Sequence, residues 1–485
     1  MISADQAPLF AAMTEHVRRS LYNFHMPGHK GGRGLPPELT GLAPEDLYAM
    51  DLTELPGLDD LHRPQGVIAH AQELAAAVYG AAQSFFLVNG STVGIQALLL
   101  ALCGDGGKVI VPRHCHRSVL SGLILSGAEP VYLAPLMSER FGFALGVSSQ
   151  QITDALTQHP DVSAVLTVRP SYYGTADNLA GQVQAAHQAG KPLLVDEAHG
   201  ANLRFHPQLP KDAMTCGADA SVQSAHKMSV ALTQSAMLHV GKGFQHTQRV
   251  AAALSLLQTT SPSYLLLASL DLARHQMTKH GTGGLENALE LTRETRCKLA
   301  KIRGLSVLTG EHLPTGWSLD ETKLVVAVDS LGLTGYQVMA LLAERYGINI
   351  EMADSVNIVA FLSSVTTAKE CNTLVAAMED ISNRERLPWQ LVGQGLPQTE
   401  MPKPVLRLKP REAWFAAAEN VLLAESGGRI CTESVAVYPP GVPIVCPGEE
   451  ITPDVLDYLL VAQKLGLPCH GSSEPMLKTI RVVVE

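Results

Sequence analysis

Two short stretches carry residues suited to one chemistry. Val195-Asp196-Glu197-Ala198-His199-Gly200 ends an apolar run on a carboxylate. About 30 residues later comes Ser224-Ala225-His226-Lys227-Met228. A lysine at a strand end in a cleft is partly desolvated, so its amine can be neutral enough to form a Schiff base with an aldehyde. A carboxylate at the C-terminal end of a strand sits where α/β folds place ligands, and there it can keep a ring nitrogen protonated. Asn89-Gly90-Ser91-Thr92 adds a small-residue turn before a helix, a form that lets backbone amides approach a phosphate. An aldehyde, a basic ring nitrogen and a phosphate are the three handles of pyridoxal 5'-phosphate (PLP).

Each residue also has a plainer reading. A lone lysine is usually a solvated charge, a strand-end Asp can be a cap, and Gly-Ser-Thr before a helix is an ordinary N-cap. The order and the placement at strand ends favour the chemical reading. Ser224 and His226 can add phosphate contacts. Arg113-His114-Cys115-His116-Arg117-Ser118 follows an apolar strand, and its spacing fits no usual zinc pattern, so no metal is expected there. An imidazole at that strand end can stack on a flat ring, and His116 is the candidate.

The elements that must position these residues alternate. Short apolar runs predict strands over 84–88, 108–112, 131–134, 163–168, 192–195 and 220–223. Helices are predicted over 67–80, 93–103 and 182–188, and 1–20 reads as an amphipathic helix through Leu9, Phe10, Met13 and Val17. That alternation predicts an α/β fold with a mostly parallel sheet covered on both faces. A long helical pattern follows over 260–300, then a second α/β segment with elements over 324–328, 336–346, 356–361 and 367–381. The expected division is an N-terminal helix and loop (1–35), a cofactor-binding major domain (36–304), a small α/β domain (305–385), a linker (386–404) and a C-terminal domain (405–485).

Bulk properties narrow the classes. A chain of 485 residues with 46% hydrophobic and 17% charged residues has a globular composition. A formal net charge of −10 argues against nucleic acid as a partner. The apolar runs are too short to span a bilayer, so no membrane partner is expected. The eight cysteines form no Cys-x-x-Cys and no secretory signal precedes them, which points to reduced thiols in a cytoplasm.

Five motifs resemble one family in the same order over nearly the whole chain. They are His25-Met26-Pro27-Gly28-His29-Lys30-Gly31, the 113–118 run, Asp196-Glu197-Ala198-His199-Gly200, Ser224-Ala225-His226-Lys227 and Tyr438-Pro439-Pro440-Gly441-Val442-Pro443. The chain resembles the bacterial ornithine/lysine/arginine decarboxylases. The resemblance implies the aspartate-aminotransferase-like (fold type I) architecture with small α/β C-terminal domains. It implies that Lys227 bonds the PLP aldehyde, Asp196 pairs with the ring nitrogen and His116 stacks on the ring. Gly90, Ser91, Thr92, Ser224 and His226 are implied to hold the phosphate, and His199 to contact the ring oxygen. Thr260-Ser261-Pro262-Ser263-Tyr264 resembles a segment that reaches the phosphate of a neighbouring subunit, so Ser261 joins the list and shared active sites are implied.

The large acid-induced members carry an N-terminal wing domain. Here the first motif begins at residue 25, so the resemblance is to wingless members, often biosynthetic arginine decarboxylases. That implies a dimer or tetramer and the conversion of arginine to agmatine and carbon dioxide, with lysine and ornithine as the next substrates. A distal cationic group needs an acidic partner, and Glu433, Asp59 and Asp60 are the candidates. Fold alone does not fix chemistry, so an aminotransferase or lyase on the same fold is the more remote alternative.

Overall fold

The computed structural model describes residues 6–19, 24–104, 106–384, 401–437, 442–467 and 469–484. The chain divides into two compact units, Met1–Ala101 with Pro192–Gly283, and Leu102–Lys191 with Gly284–Glu485. Tyr438 to Gly441 and most of the expected 386–404 linker lie outside the described residues. No helix among the described residues is long and apolar enough to cross a membrane.

The first unit holds four strands in the order Gln83–Leu87, Ala236–Val240, Ala220–Gln223, Leu193–Asp196. The last two are parallel, with Asp196 opposite Val222. The strand Ala236–Val240 was not expected, and it runs antiparallel to both neighbours. Its residues Ala-Met-Leu-His-Val carry little strand preference, so pairing on both sides makes it a strand rather than local propensity. The unit's sheet is therefore mixed rather than wholly parallel.

The helix Gly90–Cys103 packs on these strands. It starts three residues before the expected Val93, because Gly90 turns the chain at a φ of +74° and the helix follows directly. Gly94 lets it approach closely: a Cβ there would lie 2.8 Å from both Leu87 Cδ1 and Val222 Cγ1. The N-terminal helix Pro8–Arg18 buries Leu9 and Met13, and its Leu9 amide donates to the buried Asp271 carboxylate at 3.0 Å.

Helix Val67–Tyr79 is organised by Asp59, whose φ is +72°. The Asp59 carboxylate accepts from the amides of Gly66 at 2.8 Å, Ile68 at 3.0 Å and Ala69 at 3.2 Å. Burial opposes its charge, but the amides of Gln65, Gly66, Asp60 and Ala69 outweigh this and hold its pKa below the usual 3.8. A carboxylate with a depressed folded pKa contributes stability above its unfolded pKa and loses it as pH falls through the folded value. Asp59→Asn should therefore cost about 1 kcal/mol at neutral pH, the difference between charge-assisted and neutral hydrogen bonds. Melting curves of both proteins over a pH series should show the gap closing below 3.8. A gap equally wide in acid would remove the charge from this account.

In the second unit, Lys108–Pro112 lies between Glu129–Leu133 and Ala164–Val168, parallel to both. A four-stranded antiparallel sheet follows, in the order Ser306–Val307, Lys323–Ala327, Asn357–Phe361, Met352–Ala353. Helices Gly335–Tyr346 and Ala368–Arg384 accompany it, and Val338, Leu342, Met378 and Ile381 join its core. The C-terminal stretch has a separate core that includes Ile444, Val455, Leu459 and Val482.

Candidate active site

In the first unit the two key stretches come together. Asp196 closes its strand and is nearly buried. Its Oδ1 accepts from the Ala198 amide at 3.2 Å, which turns the chain out of the sheet. Lys227 lies in the short helix Ala225–Met228, just past the end of the neighbouring strand. The Lys227 Nζ lies 3.1 Å from His199 Nε2. If the lysine is an ammonium it donates to Nε2, and the imidazole proton then sits on Nδ1.

Small residues form the cradle beside them. Ser224 Oγ donates to Ser91 Oγ at 2.9 Å, joining the residue before the lysine helix to the first turn of helix Gly90–Cys103. That first turn contains Gly90, Ser91 and Thr92, whose amides precede any intrahelical acceptor. His226 Nδ1 lies 3.0 Å from the Ser235 carbonyl, so Nδ1 carries a proton and donates. A helix start opened by glycine and flanked by hydroxyl residues suits a phosphate. This donor set fits a cofactor with phosphate, ring nitrogen and aldehyde.

Other residues hold the frame, and sequence reading missed them. Glu197 is fully buried; its Oε1 accepts from the Ala213 amide at 2.8 Å and its Oε2 from Gln223 Nε2 at 2.7 Å. It locks the residues after Asp196 to the strand before Lys227. The Thr259 amide donates to Asn89 Oδ1 at 3.2 Å, and His62 Nε2 donates to the Thr259 carbonyl at 2.8 Å. Tyr264 Oη donates to the Asp59 carbonyl at 2.6 Å. These bonds tie segment 259–264, with exposed Ser261, to the cradle turn and to loop 51–66. Nothing in local sequence signals such partners, because they are far apart in the chain. The 25–31 motif is fixed as well: His29 bonds the Gly32 amide at 2.9 Å and Asp51 at 3.1 Å.

His116 belongs to the second unit, where it caps helix Arg117–Ser126. Its Nδ1 accepts from the Ser118 amide at 3.2 Å, and the ring is exposed. In the same motif, burial pushes the pKa of His114 down to about 4, so it stays neutral near pH 7 and is a poor proton donor.

The three carboxylates expected to meet a distal cation differ. Glu433 uses both oxygens within its own domain, accepting from Ser473 N at 2.8 Å and Arg481 N at 3.2 Å. Asp59 uses both on the amides described above. Asp60 accepts through Oδ1 from His62 N at 2.8 Å.

Solved structures of related shape define the class. A ureidoglycine-glyoxylate aminotransferase from Bacillus subtilis matches with a TM-score of 0.54 and 13% identity, over 66% of this chain and 85% of its own. A lysine decarboxylase from Francisella novicida matches with a TM-score of 0.87 and 20% identity, over 99% of this chain and 81% of its own. The fold is therefore of the aspartate-aminotransferase-like, fold type I class. The chain belongs to the Orn/Lys/Arg decarboxylase family: the family's major domain matches residues 7–323 and its C-terminal domain residues 398–472. An arginine decarboxylase from Bacillus anthracis is 40% identical over 100% of this chain and 98% of its own length.

Proposed function

We propose that this chain converts L-arginine to agmatine and carbon dioxide using PLP. Full-length 40% identity to an arginine decarboxylase is the observation that carries the choice of arginine. Lysine and ornithine, giving cadaverine and putrescine, rank next. The wider likeness to a lysine decarboxylase is in fold, at 20% identity.

When bound, PLP supplies an aldehyde for the substrate amine and a ring that accepts the electrons left by carbon dioxide. The chain's own residues do the rest. Lys227 would hold the cofactor through its amine. Asp196 keeps the ring nitrogen protonated. Gly90, Ser91, Thr92, Ser224 and His226 hold the phosphate, and Ser261 serves the phosphate of a neighbouring subunit. His199 contacts the ring oxygen, and its bond to Lys227 supports that assignment. His116 covers the ring, and it or Lys227 Nζ returns a proton to the substrate's Cα. The protein acts in the cytoplasm as a homodimer or tetramer with shared sites. The working division is the major domain over 36–304, the small domain over 305–385 and the C-terminal domain over 405–485, with 1–35 and 386–404 as leading and linking segments.

Asp60 is the best of the three carboxylates for the guanidinium. Asp59 and Glu433 are occupied by backbone amides, whereas among the described residues only one Asp60 oxygen accepts a hydrogen bond, from His62 N. A charge-assisted hydrogen bond is worth roughly 1.5–3 kcal/mol. Asp60→Asn should raise KM for arginine about 10-fold or more and change kcat little. Steady-state kinetics check this, and an unchanged KM would move the anchor elsewhere.

The test of the whole reading is product identification. Purified protein is supplied with PLP and offered arginine, lysine or ornithine in turn. Carbon dioxide with agmatine from arginine is expected. Release of a keto acid instead would favour the aminotransferase alternative.

A further inference from the structure

We infer that Arg113 and Glu449 form a positioning clasp through which the C-terminal domain holds His116 in place. The inference rests on the proposed role of His116, and its argument lies wholly within the second unit.

Arg113 follows strand Lys108–Pro112 and opens the turn that His116 closes. Its amide donates to the Leu133 carbonyl at 2.8 Å, and the Cys115 amide donates to Pro112 at 3.1 Å. The guanidinium points away from this turn, into the C-terminal domain. There NH1 donates to Glu449 Oε1 at 2.8 Å and NH2 to Oε2 at 2.7 Å, a two-pronged pair whose side chains are only 8% and 2% exposed. Arg113 Nε also donates to the Pro443 carbonyl at 2.7 Å, and NH2 to Ile444 at 3.0 Å. Both carbonyls belong to strand Pro443–Val445, which follows the Tyr-Pro-Pro-Gly run in sequence. The Cys446 amide donates to the same Glu449 oxygen at 2.7 Å, fixing the carboxylate from the other side.

The far end of the same helix is held too. Arg411 NH1 donates to the Leu125 carbonyl at 2.8 Å, near the C-terminus of helix Arg117–Ser126. The C-terminal domain thus grips the helix that His116 caps just before its start and again at its end. A buried ion pair is a poor way to gain stability, because apolar residues of similar size do as well or better. What a bidentate Arg–carboxylate pair supplies is orientation. The orientation fixed here is that of a turn three residues before His116.

The test uses hydrogen exchange with mass spectrometry on the full-length protein, together with kinetics. In Glu449→Gln, amide exchange over 114–118 should quicken on the order of 10-fold by local opening, while strand Leu193–Asp196 keeps its protection. The visible circular dichroism of bound PLP should weaken, and kcat should fall more than KM rises. Arg113→Lys keeps the charge without the fork and should fall between the two. The double variant Arg113→Met/Glu449→Met leaves no unpaired charge, so it should fold and still show the loosened turn. Wild-type exchange and kcat in the double variant would overturn the clasp. So would loss of protection throughout the protein in all three variants, which would make the pair a stability element. Absence of decarboxylation by the wild type would sink the functional reading but leave the exchange result to judge the clasp.

Discussion

Lys227→Ala should abolish measurable decarboxylation and remove the visible band that comes from the covalent bond between the lysine and the cofactor. Two losses combine. Without the amine there is no covalent hold on the aldehyde, so PLP is retained by its phosphate and ring contacts alone. Without Nζ the site also loses one of its two groups able to return a proton to Cα. Proton transfer by a placed side chain alone contributes roughly 10²–10⁴-fold. The phosphate cradle should survive, because Ser224 and Ser91 bond through atoms the substitution does not touch. PLP should therefore still bind, more weakly, and exchange freely. Absorbance spectra of the wild type and variant, with carbon dioxide release from arginine, check this. An unchanged visible band with unchanged turnover would remove Lys227 from the mechanism and with it the reading of this site.

The reach of sequence reading differed between elements for physical reasons. Lys108–Pro112 and Ala220–Gln223 match their expected bounds, since short apolar runs bounded by polar or glycine residues leave little freedom in register. The start of helix Gly90–Cys103 did not, because Gly-Ser-Thr serves a turn and a helix N-terminus equally well. Within the candidate site, the family motifs point to Asp196 and Lys227, and the geometry adds the bond from Lys227 to His199. Acidic partners were less legible. A carboxylate's role depends on which amides reach it, and those of Glu433 come from residues 473 and 481. The Arg113–Glu449 pair spans most of the chain, so only folding brings it to view.

Asp196→Asn should leave the cofactor bound and turnover reduced by roughly 10²–10³-fold, the usual cost of removing one group aimed at developing charge. Asparagine keeps the shape and an oxygen for the Ala198 amide, so the turn after the strand should hold. It loses the negative charge that keeps the ring nitrogen protonated. In this nearly buried position water cannot replace that charge, so its absence is felt in full. The fall should appear in kcat more than in KM, because arginine is recognised elsewhere. It should also exceed the effect of Asp60→Asn, which weakens binding without touching the electron sink. Cofactor content by absorbance, with kcat and KM measured on the same preparation, separates the two carboxylates. A variant with full cofactor and near-normal kcat would mean that the ring nitrogen needs no charged partner, and Asp196 would then be only a turn-forming residue at a strand end.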